Sequence, residues 1–522
     1  MCGFIGILSE KHNWQDHFDT SFAAIWPRGT TNDQFHGNNE SYGYARLPTD
    51  DIHNDALNQI NGARPSLLFN GLITNADELA VAFKLSEGAE ASDTQCLREG
   101  LAATGKQFVK HLRGMFAFAG ITETEVTLVR DGIGVKPLYY VFEGGDFAFA
   151  SEQKALQLME ATIHEVQPGQ IVTYSKLDKT IARQRYDYVH RGSDAPHQLL
   201  DCLHASVIRP TERYLAHSQK KVGLLLSGGL DSSLTAGLMA KFLPPRLKQK
   251  IQAFCIGEPR SQDIQAAKQL ADQLGFPLIE VRPYSVEASM RMLPEIVYQA
   301  ESPHARVIKV ALLYDALAKA IQKAGIEVVV GGEGADELFF GYQRFIDGLT
   351  HEQSEELFST FFSGVFPHTL LQRFDRIMAR HQIEGRVPYL DQELICLARQ
   401  IPPAEKVIHS QDGNEYVSKQ PLRVLAREIG LPAYIYDRPK EKMTSGATGY
   451  QNEAGKRGYL EDEAFRATGM YFQEAVVMLY KLYFGDRLSQ EDISTEDRVM
   501  HVVAHYRALN NQKLKQLERS RA

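Results

Sequence analysis

"LLLSGGLDSS" (Leu224–Ser233) decides the fold of the second half of this chain. Three leucines end an apolar strand, two glycines form a turn, and the residues that follow have helical spacing. The alternation of strand and helix then continues to about residue 330, through the segments KIQAFCIG, SQDIQAAKQLADQLG, PLIEVRP, VIKVALLYDALAKAIQKAG and IEVVVGGEG. Because strands that alternate with helices pair in parallel, the pattern predicts a doubly wound α/β sheet, with mostly helical additions after about residue 345.

The glycine turn itself has the composition of an anion-binding site. Two glycines between Ser227 and Ser232 would present backbone N–H groups and a helix N-terminus to a phosphate. No lysine follows the turn, so it is not the P-loop of nucleotide kinases. Asp231 beside a phosphate requires a cation between the two negative groups, and Mg²⁺ is the natural one. The alternative is an ordinary junction of strand, turn and helix.

A second acidic turn follows the later strand, in VVVGGEGADELFFGY (Val328–Tyr342). It carries Glu333, Asp336 and Glu337. Ligands of a parallel sheet collect at the carboxyl ends of the strands, and both glycine turns lie at that edge. We therefore expect Asp231 and Asp336 to share one metal–pyrophosphate. Acidic capping of the next helix is the alternative, and it explains one of these carboxylates better than three.

The first 190 residues are rich in short β-prone runs and open on MCGFIGILSE. If Met1 is removed, Cys2 carries a thiol and a free α-amine. The reference pKa of that amine is about 7.7–8.0, so it can act as the base for its own nucleophile. An edge strand that begins with a structural cysteine is the alternative.

Other polar residues of this half suit an oxyanion hole and contacts to an amino acid. Asn70 and Gly71, in LLFNGLITN, offer a side-chain amide and a backbone N–H to an oxyanion. Arg46 and Asp93 are suited to the carboxylate and the amine of an amino acid. The polar stretch HRGSDAPH reads as a linker, which predicts domains at 1–190 and 196–522.

Composition narrows the class of protein. The chain has 522 residues, a net charge of −8 and five scattered cysteines without a CxxC pair. The charge argues against nucleic-acid binding, and the cysteines favour free thiols in a reducing compartment. No apolar run reaches the length of a membrane span. We expect a cytoplasmic protein with no nucleic-acid or membrane partner; its oligomeric state cannot be read from the sequence, and a homodimer is compatible with it.

These motifs resemble a known family. SGGLDSS, GGEGADELFFGY, EGRVPYLD (384–391) and RPKEKMTSG (438–446) look like the synthetase domain of glutamine-dependent asparagine synthetases. Residues 1–190 resemble N-terminal-cysteine glutamine amidohydrolase domains, which implies an αββα sandwich of two antiparallel sheets between helices. The resemblance implies small-molecule substrates: glutamine, ATP and a carboxylate acceptor. The acceptor would be activated with ATP as an acyl-adenylate, and ammonia would then displace AMP.

The resemblance also assigns roles to individual residues. It implies catalytic roles for Cys2, Asn70, Gly71, Glu333 and Lys440, and glutamine binding by Arg46, Asn70 and Asp93. It implies ATP binding by Leu226, Ser227, Gly228, Gly229, Asp231, Ser232, Gly332, Glu333 and Lys440, and Mg²⁺ binding by Asp231 and Asp336. Within this scheme Glu333 takes the proton from the attacking ammonia, and Lys440 stabilises charge on the α-phosphate.

Two departures from the family pattern bear on the substrates. Leu72 stands where the family has a glutamate that grips glutamine, so Asp93 is expected to carry more of the amine contact. ESPHARVIKVALLYD (301–315) lacks the Ser/Thr-rich pattern of aspartate-using relatives. Arg306 and Lys309 share one helical face there, and they either bind an acceptor with an extra anionic group or form a solvated turn.

The acceptor therefore stays open at this point. Aspartate is the first expectation, and a sugar acid or a secondary-metabolite precursor is the alternative. A β-lactam-forming relative is less favoured, because cyclisation needs no ammonia and leaves Cys2 without a purpose. A scaffold with decayed sites is disfavoured as well, since Cys2, Asp231 and Asp336 all remain.

Overall fold

The computed structural model describes residues 2–49, 63–85, 92–186, 198–216, 220–341, 370–409, 416–438 and 472–485. The expected boundary between the domains, at residues 190–196, lies outside these ranges. In the part of the chain so described, no helix is long and apolar enough to cross a membrane.

Two antiparallel sheets form the centre of the first domain. Their strands are β1 (Gly3–Leu8), β2 (Thr31–His36), β3 (Glu40–Arg46), β4 (Leu67–Ile73), β5 (Gly114–Ile121), β6 (Glu125–Arg130), β7 (Tyr139–Glu143), β8 (Asp146–Ala150), β9 (Ile163–Glu165), β10 (Gln170–Ser175) and β11 (Thr180–Arg185). One sheet has the order β2-β3-β1-β8-β7-β9, and the other has the order β11-β10-β6-β5-β4.

Helices cover the outer faces of both sheets. The helix α1 (Phe18–Ala23) and the 3₁₀ turns Asn13–His17 and Gln153–Met159 pack on the first sheet. The helices α2 (Ala76–Ala82) and α3 (Asp93–Thr104) pack on the second. Aromatic and aliphatic side chains from both sheets fill the space between them. This arrangement confirms the expected αββα sandwich.

The strand β1 lies in the interior of its sheet, paired with β3 on one side and β8 on the other. Every residue of GFIGIL is buried. Phe4 faces the space between the sheets, whereas Ile5 and Ile7 face the outer helices. The edge-strand alternative for Cys2 is therefore wrong, because Cys2 begins an interior strand.

A five-stranded parallel sheet organises the second domain. Its strands are β12 (Val222–Leu225), β13 (Ile251–Ile256), β14 (Leu278–Val281), β15 (Val328–Val330) and β16 (Glu384–Arg386), in the order β14-β13-β12-β15-β16. Each neighbouring pair is parallel. The chain winds outward from β12 first in one direction and then in the other, which confirms the doubly wound sheet. Its switch point lies between β12 and β15, where ligands of such sheets bind.

Helices surround this sheet and form most of the described chain after residue 370. They are α4 (Leu199–Leu203), α5 (Arg209–Ala216), α6 (Leu230–Phe242), α7 (Pro245–Lys248), α8 (Gln262–Leu274), α9 (Val286–Ala300), α10 (Ala305–Lys323), α11 (Ala335–Leu338), α12 (Gln372–Arg380), α13 (Gln392–Gln400), α14 (Pro403–Lys406), α15 (Gln420–Glu428), α16 (Ala433–Tyr436) and α17 (Phe472–Phe484). The strands β17 (Ile408–His409) and β18 (Tyr416–Val417) pair as a two-stranded antiparallel sheet. The mostly helical pattern expected after about residue 345 is confirmed for the described residues, but it did not show β16, because three residues are too few for a strand periodicity.

Charged side chains are buried between the two domains around α12. Asp375 on this helix accepts hydrogen bonds from Arg28 Nη2 at 2.7 Å and from Lys136 Nζ at 2.9 Å, both in the first domain. Arg28 also contacts Glu152, with 2.5 Å between Nη1 and Oε1. These four side chains are at most 2% exposed, so the domains meet through a buried ion-pair network.

Replacing Asp375 by alanine is expected to lower the free energy of unfolding by about 3–5 kcal/mol, because two buried cations lose their partner. Burial raises the pKa of Asp375, but the positive charges of Arg28 and Lys136 lower it more. The pKa of Asp375 is therefore below its ordinary value. Its contribution is thus fully present above the unfolded-state pKa of about 3.9, and is lost as the pH falls below that value towards the folded-state pKa.

The measurement is the midpoint of the first unfolding transition in urea, at neutral pH and again near pH 3. Asp272→Ala, at an exposed position of α8, is the matched control and should leave the midpoint unchanged. An Asp375→Ala midpoint equal to that of the control would contradict the stabilising role of the network.

Candidate active site

Cys2 lies at the start of β1 with its backbone held at both ends. Its N–H donates to Asn70 Oδ1 at 3.0 Å, and its carbonyl oxygen accepts from Arg28 Nε at 2.8 Å. The thiol Sγ lies 3.9 Å from the carbonyl oxygen of Leu47. Removal of Met1 would turn the nitrogen held by Asn70 into the α-amine. The group predicted to act as the base therefore already has a hydrogen-bond acceptor.

Asn70 and Gly71 lie in β4, directly beside Cys2. Asn70 is fully buried, and its Nδ2 has no hydrogen-bond partner among the described residues. Gly71 has a φ of +148°, and a Cβ there would lie 2.1 Å from the carbonyl oxygen of Met115, so only glycine fits. Leaving a buried donor without an acceptor costs free energy. Asn70 Nδ2 is thus available to a ligand, as an oxyanion donor must be.

The other two residues predicted to bind glutamine lie at the ends of neighbouring elements. Arg46 ends β3, where the antiparallel register places it opposite Cys2, and it is 3% exposed. Asp93 begins α3, and its Oδ2 accepts a hydrogen bond from the backbone N–H of Ile73 at 3.1 Å. The fold therefore brings Arg46 beside Cys2 and ties the Asp93 carboxylate to the end of β4.

The turn after β12 folds onto its own serines. Ser232 Oγ accepts from the N–H of Ser227 at 3.1 Å and donates to the carbonyl oxygen of Gly229 at 3.2 Å. Arg438 Nη1 donates to the carbonyl oxygen of Gly228 at 3.0 Å. Because α6 begins directly after the turn, its N-terminus faces the same space. The residues predicted to bind ATP here form one glycine-rich loop at a helix N-terminus.

The two predicted turns meet at the switch point of the sheet. A Cβ on Gly332 would lie 3.2 Å from Asp231 Cβ. Asp336, in α11, reaches the same place, because Lys419 Nζ lies 2.5 Å from Asp231 Oδ2 and 2.5 Å from Asp336 Oδ1. The two carboxylates therefore lie together, as their places in the sheet predict; their role towards a metal stays a prediction.

Lys419 is a residue of this site that the sequence analysis did not identify. It is 2% exposed, and burial opposes its charged form. The carboxylates of Asp231 and Asp336 outweigh that burial and raise the pKa of Lys419 above its ordinary value, so it is a cation at neutral pH. The stretch VSKQPLR shows only a lone lysine before a helix. Nothing in its local pattern relates it to aspartates 83 or more positions away.

The carboxylate pair suits an ion that also binds phosphate. Mg²⁺ is usually held by one or two carboxylates together with substrate phosphates. Asp231 Oδ1 is buried and has no hydrogen-bond partner among the described residues. This oxygen of the Asp231 carboxylate is therefore available to a ligand. Within the described ranges, no three His, Cys, Asp or Glu side chains are grouped as a metal site.

Glu333 lies beside α10 and α12. The phenol of Tyr314 donates a hydrogen bond to Glu333 Oε1. The ring of Phe374 lies 5.1 Å from that of Tyr314, centroid to centroid, and the guanidinium of Arg373 lies 6.0 Å from the Tyr314 centroid. The carboxylate predicted to accept a proton is therefore held by Tyr314, whose ring packs in turn against Phe374.

Lys440 lies outside the described residues, so its role at the α-phosphate stays a prediction. Arg438, two positions earlier, contacts Asp263 at 2.7 Å between Nη2 and Oδ1. Because Arg438 also donates to the carbonyl oxygen of Gly228, it contacts the glycine turn after β12.

Arg306 and Lys309 do not share one environment at the start of α10. Arg306 is exposed, whereas Lys309 Nζ lies 5.4 Å from the ring centroid of Phe472 in α17. This arrangement favours the solvated turn for Arg306 over a pair of cations facing one acceptor.

A cavity of about 40 Å³ lies between the domains. It is lined from the first domain by Leu72, Thr74, Gly114, Met115 and Val135, and from the second by Ser206, Pro210, Arg386, Val387, Pro388, Leu390 and Asp391. Burial raises the pKa of Asp391 to about 6. Leu72 and Asn70 are two residues apart in one strand, so they face the same side of β4. The cavity therefore begins two residues along β4 from Asn70, which binds the backbone of Cys2.

Two family models match this chain. The asparagine synthase family model matches residues 207–361 and 347–517, and a glutamine amidotransferase domain model matches residues 1–200. Glutamine-hydrolyzing asparagine synthetase 2 of Oryza sativa subsp. japonica is 30% identical over 392 residues, which are 72% of this chain and 65% of that protein. This chain thus spans just under two thirds of the rice relative.

Two further proteins are similar over parts of the chain. Glutamine-hydrolyzing asparagine synthetase B of Escherichia coli (strain K12) is 29% identical over 426 residues, which are 77% of this chain and 74% of that protein. The solved glutamine phosphoribosylpyrophosphate amidotransferase from B. subtilis is 18% identical with a TM-score of 0.30, covering 53% of this chain and 65% of that one.

Proposed function

This chain belongs to the asparagine synthase family, and we propose that it joins ammonia from glutamine to a carboxylate in a reaction driven by ATP. The observation that carries the proposal is the pairing of two sites in one chain. Cys2, with its amide neighbours, lies in one domain, and the glycine turn with its two aspartates lies in the other. A cavity lined by both domains lies between them.

The first site supports hydrolysis of a side-chain amide. The thiolate of Cys2 attacks the amide carbon of glutamine, and the α-amine of the same residue takes the thiol proton and delivers it to the departing ammonia. Asn70 Nδ2 and the Gly71 N–H stabilise the oxyanion. Water then hydrolyses the thioester to glutamate. Arg46, opposite Cys2, holds the α-carboxylate, and Asp93 contributes to binding the amine.

The cavity between the domains supports an internal path for ammonia. A volume of about 40 Å³ exceeds the roughly 10–15 Å³ that a water-sized molecule needs. Leu72 and Met115 give it apolar walls on the side of the first domain, which suit neutral ammonia better than ammonium. Leu72 stands where the family has a glutamate that binds glutamine, and its apolar side chain instead lines this passage.

The second site supports activation of a carboxylate. The acceptor carboxylate attacks the α-phosphate of ATP, which gives an acyl-adenylate and pyrophosphate. The turn Ser227–Ser232 binds the leaving pyrophosphate, and Lys440 offsets charge on the α-phosphate. Asp231 and Asp336 would hold Mg²⁺, which when bound neutralises phosphate charge. Glu333 takes a proton from ammonia as it displaces AMP, and Tyr314 orients that carboxylate.

Aspartate is the first acceptor we propose, because the curated relatives are named asparagine synthetases. One observation favours a different carboxylate. The phenol of Tyr314 contacts Glu333 and its ring packs against Phe374. The start of α10 lacks the hydroxyl-rich pattern of aspartate-using relatives. A sugar acid or a secondary-metabolite precursor is therefore the second candidate.

The test is ATP–pyrophosphate exchange with Mg²⁺, screened across carboxylic acids. We expect exchange to depend on one acid of the screen, with aspartate first. A higher kcat/KM for a sugar acid or an aromatic acid would select the second candidate. Asp336→Asn controls for contaminating activities. Failure of every acid to support exchange above this control would contradict carboxylate activation.

A further inference from the structure

The ammonium group of Lys419 lies where a cation between Asp231 and Asp336 would be expected. Its Nζ is 2.5 Å from a carboxylate oxygen of each. The lysine side chain is 3% exposed and the two aspartate side chains are 18% and 19% exposed. The fold therefore neutralises part of this carboxylate pair with a residue of its own.

The backbone holds Lys419 in this position. Lys419 has a φ of +58°, a left-handed conformation that is unfavourable for a residue with a Cβ. Its N–H donates to the carbonyl oxygen of Phe339, and its own carbonyl oxygen accepts from the N–H of Arg423 in α15. A Cβ on Gly341 would lie 2.6 Å from Lys419 Cε and 1.9 Å from Asp336 Oδ1, so the glycine makes room for both groups.

We propose that Lys419 is a tethered counter-cation that competes with a divalent metal for Asp231 and Asp336, so that the metal enters together with nucleotide phosphates and binds poorly without them. The inference rests on the proposed function, since it takes these carboxylates as the metal ligands of an ATP site.

The charge count gives the reason. A divalent ion and Lys419 carry three positive charges, whereas the two aspartates carry two negative ones. Like charges a few ångströms apart repel strongly in a partly buried site. The phosphates of ATP add negative oxygens to which the ammonium can turn, because a lysine has a flexible four-carbon stem. Removing the ammonium should then leave two carboxylates that bind a divalent ion by themselves.

The experiment measures Mn²⁺ binding by electron paramagnetic resonance, with no acceptor and no turnover. Lys419→Met is expected to bind one Mn²⁺ at least about tenfold more tightly than the wild type. The gain should disappear in Lys419→Met/Asp336→Asn. Lys406→Met removes a nearby buried lysine whose Nζ lies over the ring of Phe340, and it should behave as the wild type. In the wild type, α,β-methylene-ATP should tighten Mn²⁺ binding by a similar factor or more.

Equal Mn²⁺ affinities of the wild type and Lys419→Met would overturn the inference. If Lys419→Met does not fold, the wild type decides: tight Mn²⁺ binding without nucleotide that Asp336→Asn removes would also overturn it. Pyrophosphate exchange tests the proposed function separately. If no acid supports exchange but the Mn²⁺ affinities are as expected, the proposed reaction is rejected and the role of Lys419 as a counter-cation is retained.

Discussion

Cys2→Ala is expected to abolish glutamine-dependent amidation while leaving the ammonium-dependent reaction intact. The substitution removes the thiol that forms the thioester, so the rate with glutamine should fall by more than about 10³-fold. The proposed synthetase site lies in the other domain and takes only its nitrogen from glutamine, so added ammonia can replace glutamine there. The measurement is product formation with glutamine and, in parallel, with ammonium chloride. Intact mass should show that Met1 is absent from the wild-type protein.

Cys96→Ala is the matched control for this result. Cys96 is a buried thiol of the same domain, and burial raises its pKa to about 12, so it is not a nucleophile at neutral pH. The variant should use glutamine as the wild type does. Undiminished use of glutamine by Cys2→Ala would reject the thioester mechanism.

Asp231→Asn should lower pyrophosphate release by at least about 10³-fold, since it removes a negative charge that faces Mg²⁺ and lets Lys419 act on phosphate alone. Asp336→Asn should have a similar effect. The measurement is release of pyrophosphate with ATP, Mg²⁺ and the acceptor selected by the exchange screen. Glutamate release from glutamine should stay measurable in both variants, which shows that the first domain is intact.

Asp272→Asn, on the exposed face of α8, is the control for the loss of a carboxylate in the same domain. It should release pyrophosphate at the wild-type rate. A wild-type rate in Asp231→Asn would show that this carboxylate does not serve the nucleotide, and the proposed synthetase chemistry would lose its main support.

Local patterns were sufficient to predict most of the fold. Each parallel strand from β12 to β15 is an apolar run between a turn and an amphipathic helix, and these features are visible in short windows. The αββα sandwich came from the resemblance of residues 1–190 to a family. The convergence of Asp231 and Asp336 followed from topology, because the carboxyl ends of neighbouring parallel strands meet.

Residues that act through distant contacts escaped the sequence reading. The strand β16 has three residues and is defined by its pairing with β15. Tyr314 looks like one more apolar position of α10. Its phenol nevertheless donates a hydrogen bond to Glu333, in the glycine turn that follows β15. Asp375 reads as a polar residue on a helix, although Arg28 and Lys136, more than 230 positions away, surround it.

The sequence by itself determined which groups the proposed chemistry uses: Cys2 with an amide neighbour, and two glycine turns with their aspartates. Those groups stand in short motifs whose spacing reflects local geometry. Only the tertiary structure decided how the charges are balanced, because a buried charge must find a partner wherever the fold supplies one. It placed Lys419 between Asp231 and Asp336 and Asp375 between two cations of the other domain. These partners are close in space but far apart along the chain, so the pattern of the sequence alone does not show which residues will pair.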